Sequence, residues 1–151
     1  MNKIKVLFVC VHNSARSQMA EAFLNTMAPD QCLAESAGLE PGTINPHVVE
    51  VMKELSIDLS GKKTNNAFEF FKEERSYDFV ITVCDESSGE KCPIFPGKIV
   101  RQHWLFEDPS SFKGSDEQII EKTRKIRDQI KAKVETFIKK KSNYNVEEFH
   151  K

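Results

Sequence analysis

The sequence predicts an α/β fold: a single domain built on a four-stranded parallel sheet with helices on both faces. Apolar runs and helical periodicities follow one another in the order strand, helix, strand, helix, helix, strand, strand, helix, and such alternation favours a parallel sheet covered by helices. A chain of 151 residues is long enough for one domain with a sizeable core. The residues that carry chemistry fall at the carboxyl ends of predicted strands, where ligands bind in sheets of this kind.

The elements follow in order. Ile4, Val6, Leu7, Phe8 and Val9 belong to a hydrophobic run that reads as a buried strand. Met19, Ala20, Phe23, Leu24 and Met27 fit one face of a helix over about 17–27, which stops before Pro29. Residues 32–37 form a second strand, ended by Gly38. After a loop at 40–45, Asn45 caps a helix with Pro46 at its first position and with Val48, Met52 and Leu55 on one face. A connection over 56–63 turns at Ser60-Gly61 and leads to a helix over 64–75 with Ala67, Phe68 and Phe71 on one face. Residues 79–83 are short, apolar and β-branched, the clearest later strand, and end at Cys84. A polar loop at 85–91 leads to Cys92-Pro93, and 98–104 reads as the last strand. Ser115, with Gln118 three residues on and acids Asp116 and Glu117 between, opens the longest helix with a capping box. Its stripe is Ile119, Thr123, Ile126, Ile130, Val134 and Phe137, and lysines 139–141 sit where cations favour a helix end. The domain therefore spans 1–141, followed by a polar tail over 142–151.

Composition excludes several classes. Basic and acidic residues nearly balance, 22 against 23, which argues against a nucleic-acid footprint. No apolar run reaches membrane-spanning length, so no membrane partner is expected. The first three residues run directly into a strand, which leaves no room for a signal peptide, and the expected compartment is the cytoplasm. Structural disulfides are rare there, so the four cysteines read as catalytic, redox or metal-binding candidates. A monomer is expected.

The chain is organised around Cys10-Val11-His12-Asn13-Ser14-Ala15-Arg16-Ser17. A cysteine at a strand end is followed, five residues on, by an arginine at a helix start. A tight loop entering a helix can turn several backbone N–H groups into one concavity, and the helix end adds partial positive charge. Arg16 can grip two oxygens with its planar fork. The same field stabilises a thiolate at Cys10, and Ser17 can donate a hydrogen bond to its sulfur. The segment from Val11 to Ser17 is thus a candidate site for a tetrahedral oxyanion held over a nucleophile. The structural alternative, a buried cysteine with Arg16 on the surface, does not explain why strand, loop, arginine and helix come in this order.

Cys84 and Cys92 flank seven residues. Disulfide exchange needs a thiolate to attack a neighbouring sulfur, and a loop containing Gly89 could supply the motion. One reading is a relay of three thiols, Cys10, Cys84 and Cys92. Zinc binding, against which the spacing speaks, and two unrelated buried cysteines are the others. Asp108, before Pro109 and near Trp104 and Phe106, is a candidate general acid if its surroundings are apolar, and a simple turn aspartate otherwise. Cys32 reads as core. His12 shapes the loop or lines its mouth, His47 and His150 read as surface residues, and His103 as a packing or hydrogen-bonding residue.

The Cys-x5-Arg-Ser loop on a first strand, with the late Asp108-Pro109, resembles the low-molecular-weight protein tyrosine phosphatase fold. Within it the sequence is more similar to the thioredoxin-coupled arsenate reductases. Matching segments are Val9-Cys10, Asn13-Ser14, Arg16-Ser17-Gln18-Met19-Ala20-Glu21, Ser36-Ala37-Gly38, Asn45-Pro46, Ile57-Asp58-Leu59-Ser60, Val83-Cys84, Cys92-Pro93, His103-Trp104 and Asp108-Pro109. The chain departs from the pattern at Ala15, where the reductases often carry a second cysteine, and in a Cys84–Cys92 gap one residue longer. Ser110-Ser111 stand where the phosphatases usually have aromatic residues.

The resemblance implies two-electron reduction of arsenate to arsenite. Cys10 would be the nucleophile, Arg16 the anion clamp, Asp108 the proton donor, Cys84 and Cys92 the resolving thiols, and thioredoxin or a similar thiol the reductant. It also implies a potassium site near Asn13, Glu21, Ser36 and Asn65, where some members carry an acid at the last position, and otherwise no tightly bound cofactor. A phosphatase, needing only Cys10, Arg16 and Asp108, is the enzyme alternative, and weak ester hydrolysis is expected as a side activity. An oxyanion- or metal-binding module using Cys84, Cys92 and His103 is the other.

Overall fold

Val6, Leu7, Phe8 and Val9 run without a polar interruption because both faces of the strand they form are covered. In a computed structural model, which describes residues 3–83 and 95–141, β1 (Ile4–Cys10) lies inside a sheet with β2 (Cys32–Gly38), β3 (Phe79–Thr82) and β4 (Val100–His103). The order is β2-β1-β3-β4 and every pairing is parallel. Val6, Phe8 and Cys10 face a core shared with α1 (Arg16–Met27), α2 (Pro46–Lys53) and α4 (Asp116–Lys140), while Leu7 and Val9 face a smaller one with α3 (Ala67–Lys72). That alternation is the period of two of a strand, and it places helices on both faces as expected. The edge strands among the described residues are mixed instead: Leu33 is exposed between buried Cys32 and Ala34, and β4 reads Val-Arg-Gln-His, a polar composition typical of sheet edges.

Local signals set most boundaries. Asn45 Oδ1 accepts the His47 amide at 2.8 Å ahead of Pro46. Ser115 and Gln118 form the expected reciprocal capping box. The packing of α4 rests on the predicted stripe, with Phe137 edge-on to Phe79 at 4.9 Å. Arg127 interrupts that stripe. Its buried guanidinium donates to Val51 O at 2.9 Å and pairs with Glu54. Hydrogen bonds from Arg124 and then Arg127 hold the Glu54 carboxyl down to about 2.

Three expectations change. The helix expected over 64–75 is only Ala67–Lys72, because Asn66 caps it through Phe68 N and Glu69 N. Starting there, Ala67 and Phe70 face the sheet, and Phe68 and Phe71 are 42% and 41% exposed. Leu55 lies past the end of α2 and is exposed, its place taken by Val51. The last strand is shorter than 98–104. Cys84, Cys92, the loop between them, His150 and the tail over 142–151 lie outside the described residues. No helix among the described residues is long and apolar enough to cross a membrane.

Gly38, the last residue of β2, is where sheet and loop meet. A Cβ there would stand 2.8 Å from Asn13 N, His12 C and Val11 O, and none of these backbone atoms can give way cheaply. Gly38→Ala is expected to cost about 1–3 kcal/mol, which at this chain length lowers Tm by about 2–4 °C per kcal/mol. Calorimetry checks it, and an unchanged Tm would mean that the loop has slack.

Candidate active site

The loop after β1 turns its amides inward because its carbonyls are taken from outside. Cys10 O, Val11 O, His12 O and Ser14 O accept from Leu39, Glu40, Gly42 and Asn45 N at 2.7 to 3.1 Å. In a trans peptide the N–H points opposite to the preceding C=O. The amides of Val11, His12, Asn13 and Ala15 therefore face away from the 39–45 segment. For Asn13 this is directly visible, since its N–H donates to Cys10 Sγ at 3.2 Å. Asn13 adopts φ 55°, a left-handed conformation that asparagine tolerates better than most residues. Helix α1 follows with Ala15 at its cap and no side-chain cap hydrogen bond, whereas Asn45, Asn66 and Ser115 cap the other helices. The first-turn amides of α1 are thus left to a ligand rather than to a capping side chain.

Cys10 sits at the floor, 2% exposed, and is a free thiol. Its sulfur is 2.8 Å from Ser17 Oγ. Ser17 Oγ accepts from Asn13 Nδ2 at 2.8 Å, which leaves its own hydrogen for the sulfur. Asn13 is wholly buried and its amide is fully used: Nδ2 also donates to Ser36 Oγ at 2.9 Å, and Oδ1 accepts from Gln18 Nε2 at 3.0 Å and Asn65 N at 2.9 Å. Ser36 Oγ in turn donates to Glu21 Oε1 at 3.0 Å. Two donors on one sulfur suit a thiolate acceptor.

Arg16, 3% exposed, donates through Nη1 to Phe106 O at 3.1 Å, and its Nη2 lies 3.5 Å from Asp108 Oδ2. The loop after β4 is thereby drawn against the Cys10 loop. Asp108 is fixed by its own turn, its Oδ1 accepting from Ser110 N at 2.9 Å and its carbonyl from Ser111 Oγ at 2.7 Å. The apolar surroundings considered for Asp108 are not what it has. Trp104 is buried against Phe8 and Phe137, while the Asp108 side chain, 25% exposed, faces Arg16.

The structure thus joins Cys10, Asn13, Arg16, Ser17 and Asp108 at the carboxyl edge of the sheet. Val11, His12, Ser14 and Ala15 contribute backbone. His12 Nδ1 meets Glu40 O at 2.8 Å, supporting the loop, and His103 pairs with Thr82 Oγ1. Burial pushes the Cys32 thiol up, against a smaller opposite effect of Lys141, as suits a core residue. The described chain stops one residue short of Cys84, with Val83 N donating to Val9 O at 2.8 Å beside Cys10.

Asn13, Glu21, Ser36 and Asn65 do meet, but as a donor–acceptor network. Asn65 turns its Nδ2 onto Ser36 O at 3.0 Å, and the second oxygen of Glu21 pairs with the Lys62 ammonium. Gln18 and Lys62 are the residues that sequence reasoning missed. Gln18 carried a signal, being polar at a helix position that must be buried behind the loop, whereas nothing local marks Lys62. Chemically, the arrangement can bind a tetrahedral oxyanion, present a sulfur to its central atom and place a carboxyl group at its rim.

The chain is similar to known proteins over most of its length. The family model for low molecular weight phosphotyrosine protein phosphatase matches residues 5–146. Arsenate reductase 1 of Staphylococcus epidermidis is 36% identical over 140 residues, covering 91% of this chain and 97% of that one. Among solved structures, an arsenate reductase in the oxidized state superposes with a TM-score of 0.75 at 34% identity, over 90% of this chain and 97% of that one. The thioredoxin-dependent arsenate reductase of Corynebacterium glutamicum gives 0.59 at 28% identity, over 89% of this chain and 63% of that one.

Proposed function

This chain belongs to the low molecular weight phosphotyrosine protein phosphatase family, and from that premise we propose that it reduces arsenate to arsenite with Cys10 as nucleophile and thioredoxin as the source of electrons. The observation that carries the reading is the Cys10 sulfur, held by Asn13 N–H and Ser17 Oγ at the floor of a ring of amides beside Arg16. The arsenate reductases to which the chain is similar supply the substrate, and the Corynebacterium relative the reductant.

Arsenate docks in the loop from Val11 to Arg16, its charge met by backbone N–H groups and the guanidinium. The Cys10 thiolate attacks arsenic, an oxygen leaves as water with a proton passed from solvent through the part-exposed Asp108 carboxyl at the rim, and a sulfur–arsenic bond forms. The Cys84 thiolate then attacks the Cys10 sulfur. The sulfur–sulfur bond forms as the sulfur–arsenic bond breaks, its electron pair passes to arsenic, and arsenite departs. Cys92 attacks Cys84 and releases Cys10 as thiolate, leaving a Cys84–Cys92 disulfide for the dithiol of thioredoxin to reduce. Arsenic is reduced by two electrons and the protein dithiol oxidised by two. No cofactor is needed beyond that thiol. Ester hydrolysis would persist weakly, since phosphate shares the shape and charge of arsenate.

The test is arsenate-dependent NADPH consumption with thioredoxin and thioredoxin reductase, beside hydrolysis of a chromogenic phosphate ester. Cys92→Ser is expected to complete about one turnover and trap a Cys10–Cys84 disulfide, seen by mass spectrometry of the unreduced protein. If Cys92→Ser cycles normally, the relay is wrong. Robust ester hydrolysis without NADPH consumption, indifferent to Cys84→Ser and Cys92→Ser, would make the chain a phosphatase.

A further inference from the structure

The Cys10 sulfur is the end of a chain of hydrogen bonds whose other end is a buried charge. From the sulfur it runs to Ser17, Asn13, Ser36 and Glu21. Glu21 is 4% exposed and shares a face of α1 with Ser17, four residues earlier. A carboxylate at that depth needs a compensating cation. Among the described residues the ion pair it makes is with Lys62 Nζ.

The Lys62 side chain is 40% exposed, and its ammonium reaches inward to the carboxylate of Glu21, whose side chain is 5% exposed. Its segment is tied at successive residues to α1, to the active loop and to the stretch that backs that loop: Lys63 O accepts from Gln18 Nε2 at 3.2 Å, Thr64 Oγ1 donates to Gly42 O at 2.7 Å, Asn65 N donates to Asn13 Oδ1, and Asn65 O accepts from Gly38 N at 2.8 Å. A segment held so closely fixes where the lysine stem starts.

A monovalent metal ion does not fit the same residues. Asn13 Oδ1 already takes two donors, Ser36 Oγ is committed to Asn13 and Glu21, Asn65 presents a nitrogen, and the free oxygen of Glu21 is taken. A potassium ion needs several oxygens turned toward one point, and this set offers donors instead. The cleft outside the pair, about 320 Å³ and lined by Glu21, Lys62, Asn65, Glu35 and Arg75, brings a second cation with Arg75 rather than a second free acid, since Glu35 is paired with Arg75.

We propose that Lys62 is a positioning residue for the Cys10 nucleophile: its ammonium compensates Glu21, keeps the Glu21–Ser36–Asn13–Ser17 chain oriented toward the sulfur, and makes the site independent of potassium. The inference rests on Cys10 being the nucleophile, not on arsenate being the acceptor.

The experiment compares wild type, Lys62→Gln and Lys62→Arg in potassium chloride and in choline chloride of equal ionic strength. It reads the rate at which iodoacetamide alkylates Cys10, followed on the Cys10 peptide by mass spectrometry, together with Tm and with kcat and KM for arsenate. Wild type is expected to give the same alkylation rate and Tm in both salts. Lys62→Gln is expected to lose roughly 3- to 30-fold in alkylation rate and in kcat, with KM held by the amides and Arg16, and Lys62→Arg to recover most of the loss. A saturable potassium response of wild-type alkylation or Tm overturns the proposal. So does a Lys62→Gln protein that alkylates at the wild-type rate, or a loss that Lys62→Arg does not recover. If Lys62→Gln does not fold, the wild-type salt comparison still decides the potassium half, and Lys62→Met, uncharged and of similar length, replaces Lys62→Gln with the same expected and overturning outcomes for the other half. Alkylation as expected without arsenate reduction would sink the arsenate reading and leave this one standing.

Discussion

Cys10→Ser is expected to abolish arsenate reduction, lowering kcat by at least about four orders of magnitude, as removal of a sole nucleophile does. The change is nearly isosteric at a site 2% exposed, and a hydroxyl can keep the hydrogen bonds from Asn13 N and with Ser17 Oγ. Stability should therefore shift by no more than about 1–2 kcal/mol. The anion site should survive, because it is built from backbone and Arg16 rather than from sulfur. Phosphate should still raise the Tm of Cys10→Ser in proportion to its occupancy. Thermal shift with phosphate, measured beside turnover, separates the two roles. Residual multiple turnover in Cys10→Ser would remove Cys10 from the chemistry, and loss of the phosphate shift would mean that the sulfur, not the amide ring, makes the site.

Arg16→Lys carries the second large effect. The guanidinium contacts Phe106 O through one terminal nitrogen and approaches Asp108 with the other. One ammonium on a flexible stem cannot reproduce that fork or grip two oxygens in a plane. The loss of kcat/KM for arsenate is expected to be about 10²–10³, the usual cost of one preorganised donor at a developing charge. Because the side chain is buried, loss of the bond to Phe106 O adds about 1 kcal/mol of destabilisation. Kinetics with phosphate as competitor check it: affinity for phosphate should fall along with kcat/KM. An Arg16→Lys enzyme with wild-type kcat/KM would show that Arg16 only anchors the loop after β4.

These two effects were legible in the sequence because the chemistry lies within one continuous stretch. Cys10, Asn13, Arg16 and Ser17 are joined by local geometry, a strand end, a tight loop and a helix start, and short spacing leaves few ways to arrange them. Helix starts at Asn45-Pro46 and Ser115 were legible for the same reason, since a cap and its acceptor are two or three residues apart. The extent of the helix expected over 64–75 is not legible in this way, because Phe68 and Phe71 look like core residues, and only the position of the Asn66 cap decides which aromatics face the sheet.

By itself, then, the sequence determined the parallel α/β architecture, the tight turn from Cys10 into α1, and the identity of the residues available for chemistry. Tertiary structure alone decided which of them meet. Phe106, 90 residues from Arg16, and Asp108 arrive because β1 and β3 are neighbours and β4 flanks β3. Gly38 is indispensable only because β2 pairs with β1 and its continuation takes the carbonyls of the loop. Lys62 faces Glu21 because the segment after α2 crosses behind that loop. Local pattern reports on backbone conformation and burial within a few residues. A buried charge takes its partner from whichever distant segment the packing brings within about 3–4 Å, and no periodicity records that.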